Sequence, residues 1–140
     1  MRYTTEERNR RKEQLLQRIA DGLPVLATCA GMILLAEKLE GDTVSHFATM
    51  PIAVKRNAYG RQLGSFHRDE NFKGLGKIPM TFIRAPYVVE AGEGTEILAK
   101  VDGHIVAARY KNQLALAFHP ELDKDRHIHK LFLDMIGKTA

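Results

Sequence analysis

The spacing of apolar positions changes its period along the chain. Residues 5–20 predict a helix. Thr4 and Glu7 have the spacing of a capping box, and Leu15, Leu16 and Ile19 form a narrow apolar stripe near its end. Gly22 and Pro24 stop it. The first two turns carry almost no apolar residue, which predicts a surface helix. Val25–Thr28 is a short apolar run, as a buried strand would be. Ala30–Leu39 predicts a second helix, apolar nearly all round until Glu37 and Lys38, and therefore largely buried.

From Thr43 the pattern becomes strand-like. Ile52–Arg56, Gln62–His67 and Met80–Arg84 predict strands separated by turns that carry Gly and Pro. Glu96–Val101 and His104–Tyr110 flank Asp102-Gly103, the signature of a type I′ hairpin. Gln113–His119 predicts a strand covered on both faces. A last helix is expected from about Asp125 to Ile136. Its stripe is Ile128, Leu131, Phe132, Met135 and Ile136, with Gly137 as its C′ residue.

A length of 140 residues without repeat or linker suggests one domain, 1–140. The single cysteine allows no internal disulfide. The segment from Glu6 to Glu13 is charged and has no signal core, and no apolar run approaches the ~20 residues of a membrane span. A cytoplasmic protein without a membrane partner is the expectation. Net charge is +4, with Arg8, Arg10, Arg11, Lys12 and Arg18 concentrated early. Glutamates are interspersed there and no aromatic residue provides a stacking platform, so the cluster reads as a solvated helix face, with no nucleic-acid partner expected.

The chemistry centres on Cys29, placed between the Val25–Thr28 run and the Ala30 helix. A strand turning abruptly into a helix presents its turn residue, as nucleophile elbows do. Free N–H groups at the helix start are expected to lower the thiol pKa. Taken alone, Cys29 also fits a small buried hydrophobe. Phe118-His119-Pro120-Glu121 supplies an imidazole and a carboxylate. Pro120 biases His119 toward an extended backbone, and residues two apart on an extended segment share a side. Glu121 is thus expected beside the His119 ring, in the third role of a triad. Alone, the tripeptide also fits a solvated strand end. Arg56 and Arg84 each end an apolar strand, where a guanidinium could grip a carboxylate. Spacing alone favours surface charges. His127 and His129 do not share a helix face, no zinc signature is present, and His46, His67 and His104 have no ligand-like partners, so no metal site is expected.

Four segments in order carry a family resemblance: Thr28-Cys29-Ala30-Gly31, Arg56-Asn57-Ala58-Tyr59-Gly60-Arg61-Gln62, Phe82-Ile83-Arg84-Ala85-Pro86 and Phe118-His119-Pro120-Glu121-Leu122. Together they resemble the glutaminase subunit of pyridoxal 5′-phosphate synthase, a class I (triad) glutamine amidotransferase. The second and third segments are the more specific. The resemblance implies Cys29 as nucleophile, His119 as general base and acid, and Glu121 as its orienter. It implies Arg56, Ile83 and Arg84 as contacts of an L-glutamine substrate, and the Ala30 N–H as an oxyanion donor. It further implies an α/β three-layer, flavodoxin-like sandwich with mixed and antiparallel strands in its second half. A barrel-shaped synthase subunit would receive the ammonia, and this chain would bind no cofactor.

Two departures accompany the resemblance. Ala27 stands where the family usually has Gly. The family's leading βαβ portion, ending in a Gly-Gly-Glu-Ser loop that donates to the oxyanion, has no counterpart, since Gly22 is the only glycine before Cys29. An N-terminally truncated sandwich is expected, with Val25–Thr28 at an exposed edge and poor activity by itself. The alternative reading is a non-catalytic remnant that binds the partner subunit.

Overall fold

The computed structural model describes residues 4–56 and 65–139. Helix α1 (Thr5–Ala20) starts on the expected capping box: the Glu7 N–H donates to Thr4 Oγ1, and the Thr4 N–H donates to the Glu7 carboxylate. Only Ile19 of this helix is buried. Strand β1 (Val25–Thr28) follows, then helix α2 (Ala30–Leu35).

Helix α2 is shorter than its sequence predicts. It stops at Leu35, and Ala36–Leu39 forms strand β2, paired in parallel with β3 (Met50–Lys55). Buried Ala36 and Leu39 flank exposed Glu37 and Lys38, a spacing that suits one helical turn and equally a strand with a bulge. The β3 backbone supplies the hydrogen bonds that decide between them. Strands β4 (Ser65–Phe72) and β5 (Gly76–Ile83) form a separate two-stranded hairpin. Of the segment expected as Gln62–His67, residues 62–64 lie outside the described residues. Strand β6 (Tyr87–Ala91) follows the Pro86 turn and has no strong alternation in the sequence, so periodicity missed it.

Strands β7 (Glu96–Val101) and β8 (His104–Tyr110) form the expected hairpin, with positive φ at both Asp102 and Gly103. Strand β9 (Gln113–Leu116) is buried at every position, although regular pairing ends three residues before His119. Helix α3 (His127–Thr139) runs through Gly137, which therefore does not cap it. Ile128 and Met135 are core residues, whereas Ile136 is exposed and drops out of the expected stripe.

Among the described residues the main sheet has seven strands in the order β1-β9-β8-β6-β3-β2, with β7 also paired to β8. β1 runs parallel to β9 and β2 parallel to β3, and the remaining pairs are antiparallel. β1 lies at one edge and is half-buried rather than fully buried. The β4–β5 hairpin is tied to the core through aromatic rings. Phe66 stacks on Phe82 at 4.5 Å between centroids, and Phe82 meets Phe118 edge-on at 5.8 Å. This packing carries the end of β5 to the ends of β1 and β9, where the candidate chemistry lies.

Candidate active site

The site is built from three chain ends. β1 delivers Cys29, whose N–H continues the β1–β9 ladder by donating to the Leu116 carbonyl at 2.8 Å. Cys29 then breaks the strand with φ 51° and ψ −105°, and α2 begins at Ala30. That backbone conformation is sparsely populated for any residue with a Cβ and costs about 1–3 kcal/mol. It is the sharp strand-to-helix turn that thrusts a nucleophile out of a sheet. The Cys29 thiol donates to the Ile83 carbonyl at the end of β5, with 3.7 Å between heavy atoms.

The chain leaving β9 delivers the imidazole. His119 is extended, with φ −108° and ψ 90°, as the following proline requires. Its N–H donates to the Thr81 carbonyl at 2.8 Å. Residues Pro120–Leu122 form a 3₁₀ turn, not the extended segment the sequence suggested. The turn nevertheless brings Glu121 Oε2 to 2.8 Å from His119 Nδ1. Nδ1 is thereby occupied by the carboxylate, which leaves Nε2 as the free proton acceptor of a neutral ring.

Strand β5 sets the distance between these parts. Its Thr81 carbonyl holds His119, and its Ile83 carbonyl holds Cys29. Two residues along a strand span about 7 Å, which places both functional segments on one short stretch of backbone. The Glu121 charge reaches the sulfur as well: burial is the main cause pushing the Cys29 thiol above its ordinary pKa, and the Glu121 carboxylate adds to it. The Ala30 N–H, directed at the sulfur, opposes both. The expected lowering of this pKa is therefore overturned. Helix α2 has only six residues, and one N–H does not offset the lost solvation of a thiolate beside a carboxylate.

A cavity of about 380 Å³ opens at the start of α2, next to Cys29 in the chain, lined by Ala30, Ile33, Leu34, His46, Arg56 and Arg84. Its size falls in the range of small-molecule sites. Arg56 and Arg84 thus share one cavity, and both side chains are exposed for a ligand. Arg84 also has positive φ, 46°, directly after the Ile83 carbonyl that meets the thiol. The Ile83 side chain is itself exposed at this edge. His46 was not expected here. Its Nε2 lies 3.5 Å from the Arg56 guanidinium, and only tertiary packing of the 43–49 loop over α2 brings it in. Thr81 and Asp123 beneath His119 are likewise invisible to spacing arguments, being 42 residues apart in the chain. A second cavity of about 390 Å³, bounded by Lys38, Ile52 and Glu90, contains none of these groups.

Residues 4–138 match the SNO glutamine amidotransferase family. The chain is 65% identical over 130 residues to the pyridoxal 5′-phosphate synthase subunit PdxT of Desulfitobacterium hafniense, covering 91% of this chain and 65% of that protein. It is 56% identical over 117 residues to the subunit of the same name from Streptococcus pneumoniae, covering 84% of this chain and 60% of that one. The chain thus spans a little under two thirds of the length of these relatives. A crystal structure of a glutamine amidotransferase superposes with a TM-score of 0.85 at 38% identity, over 90% of this chain and 68% of the other. A glutamine amidotransferase from Thermotoga maritima shares the fold at a TM-score of 0.55 and 15% identity, over 85% of this chain and 51% of the other. The mixed sheet is accordingly the α/β sandwich of class I glutamine amidotransferases. With the strained cysteine, the His119–Glu121 pair and the match over almost its whole length, the chain belongs to the SNO glutamine amidotransferase family.

Proposed function

We propose that this chain hydrolyses L-glutamine to L-glutamate and ammonia, with Cys29 as nucleophile, His119 as base and acid, and Glu121 as the orienter of His119. The observation that carries the reading is the pairing of a strained elbow cysteine with a His119–Glu121 contact of 2.8 Å across the end of one strand. Burial pushes the Cys29 thiol pKa up, so the mechanism starts from the protonated thiol. His119 Nε2 takes that proton while sulfur attacks the side-chain carboxamide carbon. The carbonyl electrons move onto oxygen, where the Ala30 N–H donates to the oxyanion. Collapse of this intermediate breaks the C–N bond, and His119 returns the proton to the departing ammonia. A glutamyl thioester remains. Water, deprotonated by His119, then releases glutamate and restores the thiol. Glu121 stabilises the imidazolium formed in each half.

Arg56 and Arg84 would grip the α-carboxylate of glutamine from the cavity beside Cys29, with the Ile83 edge completing the contact. The ammonia would pass to a barrel-shaped synthase subunit for pyridoxal 5′-phosphate synthesis, the assembly in which the PdxT relatives are named as subunits. An unpaired reactive thiol suits the reducing cytoplasm.

The test is a glutaminase assay on the chain with its synthase subunit, paired with trapping by a glutamine-analogue electrophile. Glutamate release that disappears in Cys29→Ala, and labelling confined to Cys29, is the expected result. An R84A variant should raise KM roughly 10- to 100-fold, the loss of one charge-assisted contact of about 1.5–3 kcal/mol. Partner binding without any labelling of Cys29 would favour the non-catalytic binding subunit instead.

A further inference from the structure

Thr81 grips the turn that carries the base from both ends. Its main-chain carbonyl accepts the His119 N–H at 2.8 Å. Its hydroxyl donates to Asp123 Oδ2 at 3.0 Å, four residues further along. Between these anchors the turn closes on itself: the Leu122 N–H donates to the His119 carbonyl and the Asp123 N–H to the Pro120 carbonyl, each at 3.2 Å. Glu121, the partner of His119, lies inside the span so pinned.

A third residue fixes the direction of the hydroxyl. His67 lies opposite Thr81 in the β4–β5 ladder, and its Nδ1 is 3.0 Å from Thr81 Oγ1. A threonine hydroxyl has one proton, and an ionised carboxylate only accepts. The hydroxyl proton therefore goes to Asp123, and the Thr81 oxygen accepts from a protonated His67 Nδ1. The chain of donors runs one way, from His67 through Thr81 to Asp123. Asp69 at 3.7 Å from His67 Nε2 and Asp123 Oδ1 at 3.7 Å from Nδ1 are the charged groups that face this ring. The Asp123 side chain is only 13% exposed, so its bonds are shielded from competing water.

We propose that Thr81 is a positioning residue for His119, acting with Asp123 as a clamp on the 119–123 turn and with His67 as the group that orients its hydroxyl. The inference rests on the glutaminase reading only in taking His119 as the base. Loss of the hydroxyl frees the Asp123 end while leaving the backbone anchor in place. Glu121 then loses its fixed distance from Nδ1, and the His119 ring loses the carboxylate that sets its tautomer.

The test uses the full chain with ¹⁵N-labelled histidine, and three variants: T81V, T81S and D123A. The ring nitrogens of His119, assigned by comparison with H119Q, should report a dominant Nδ1–H tautomer in the wild type. T81V and D123A should shift that ring toward the Nε2–H form that the free histidine side chain prefers in water, and T81S should keep the wild-type form. In the complex with the synthase subunit, T81V and D123A should lower kcat for glutamine roughly 10- to 100-fold with KM within about twofold, the signature of a misaimed base. Unchanged tautomer and unchanged kcat in folded T81V or D123A would overturn the proposal, even if both variants were less stable. D123A leaves strand β5 and its Thr81 side chain intact and decides the matter should T81V fail to fold. The nitrogen shifts require no glutamine turnover, so absence of hydrolysis in the wild type would count against the proposed function and leave this inference to be decided by the ring.

Discussion

Replacing Cys29 by glycine should stabilise the fold relative to replacing it by alanine. Both substitutions remove the sulfur, its 3.7 Å contact with the Ile83 carbonyl and all nucleophilic activity. They differ in one Cβ. At φ 51° and ψ −105° that Cβ carries about 1–3 kcal/mol of backbone strain, which alanine retains and glycine releases. Against this stands the larger conformational freedom of glycine in the unfolded chain, about 0.5–1 kcal/mol. The remaining difference is about 1 kcal/mol in favour of C29G, or roughly 4 °C in Tm for a domain of this size. Urea unfolding monitored by circular dichroism, with equal m values for the two variants, measures it directly. A C29A protein as stable as C29G, or more so, would show that the elbow is relaxed and that its geometry stores nothing for function.

Four further outcomes test other parts of the structure. Alkylation of Cys29 by iodoacetamide should inflect above the ordinary thiol range, because burial and then Glu121 raise it, and E121Q should bring the inflection down while glutamine hydrolysis falls about 100-fold. The folded state binds the thiol proton more tightly than the unfolded chain. This contribution is fully present below about pH 8.5 and is lost as pH rises through the raised folded value, so C29A should flatten the alkaline loss of stability seen in urea titrations. A Cβ at Gly31 would meet the Ala27 Cβ at 3.0 Å, so the A27G/G31A double variant should be more stable than the sum of its single variants implies in the same unfolding assay. Gln113 is 3% exposed and holds Thr49 twice, accepting from its hydroxyl at 2.7 Å and donating to its carbonyl at 2.9 Å. Q113A should therefore cost about 1–3 kcal/mol by calorimetry, through the polar groups left unpaired.

Local chemistry alone carried much of this protein. The capping box of α1, the Asp102-Gly103 hairpin, the β1–Cys29–α2 junction and the proximity of His119 to Glu121 all follow from residues within a few positions of one another. Their energetics are set by turn geometry and backbone preference, which a short window of sequence contains. Other features depend on residues far apart in the chain. Ala36–Leu39 is a strand because β3 lies alongside it, not because of its own pattern. Helix α3 passes through Gly137, where the sequence suggested an end. The pKa of Cys29 rose where the helix start predicted a fall, since solvation is lost through packing and Glu121 arrives from 92 residues away in sequence. His46 beside Arg56, and the grip of Thr81 on the 119–123 turn, arise only when the β4–β5 hairpin and the 43–49 loop close over the sheet. Residue identities specified which reactive groups exist and which neighbours in the chain they meet. Long-range pairing and burial determined how far apart those groups stand and how readily each gives up its proton.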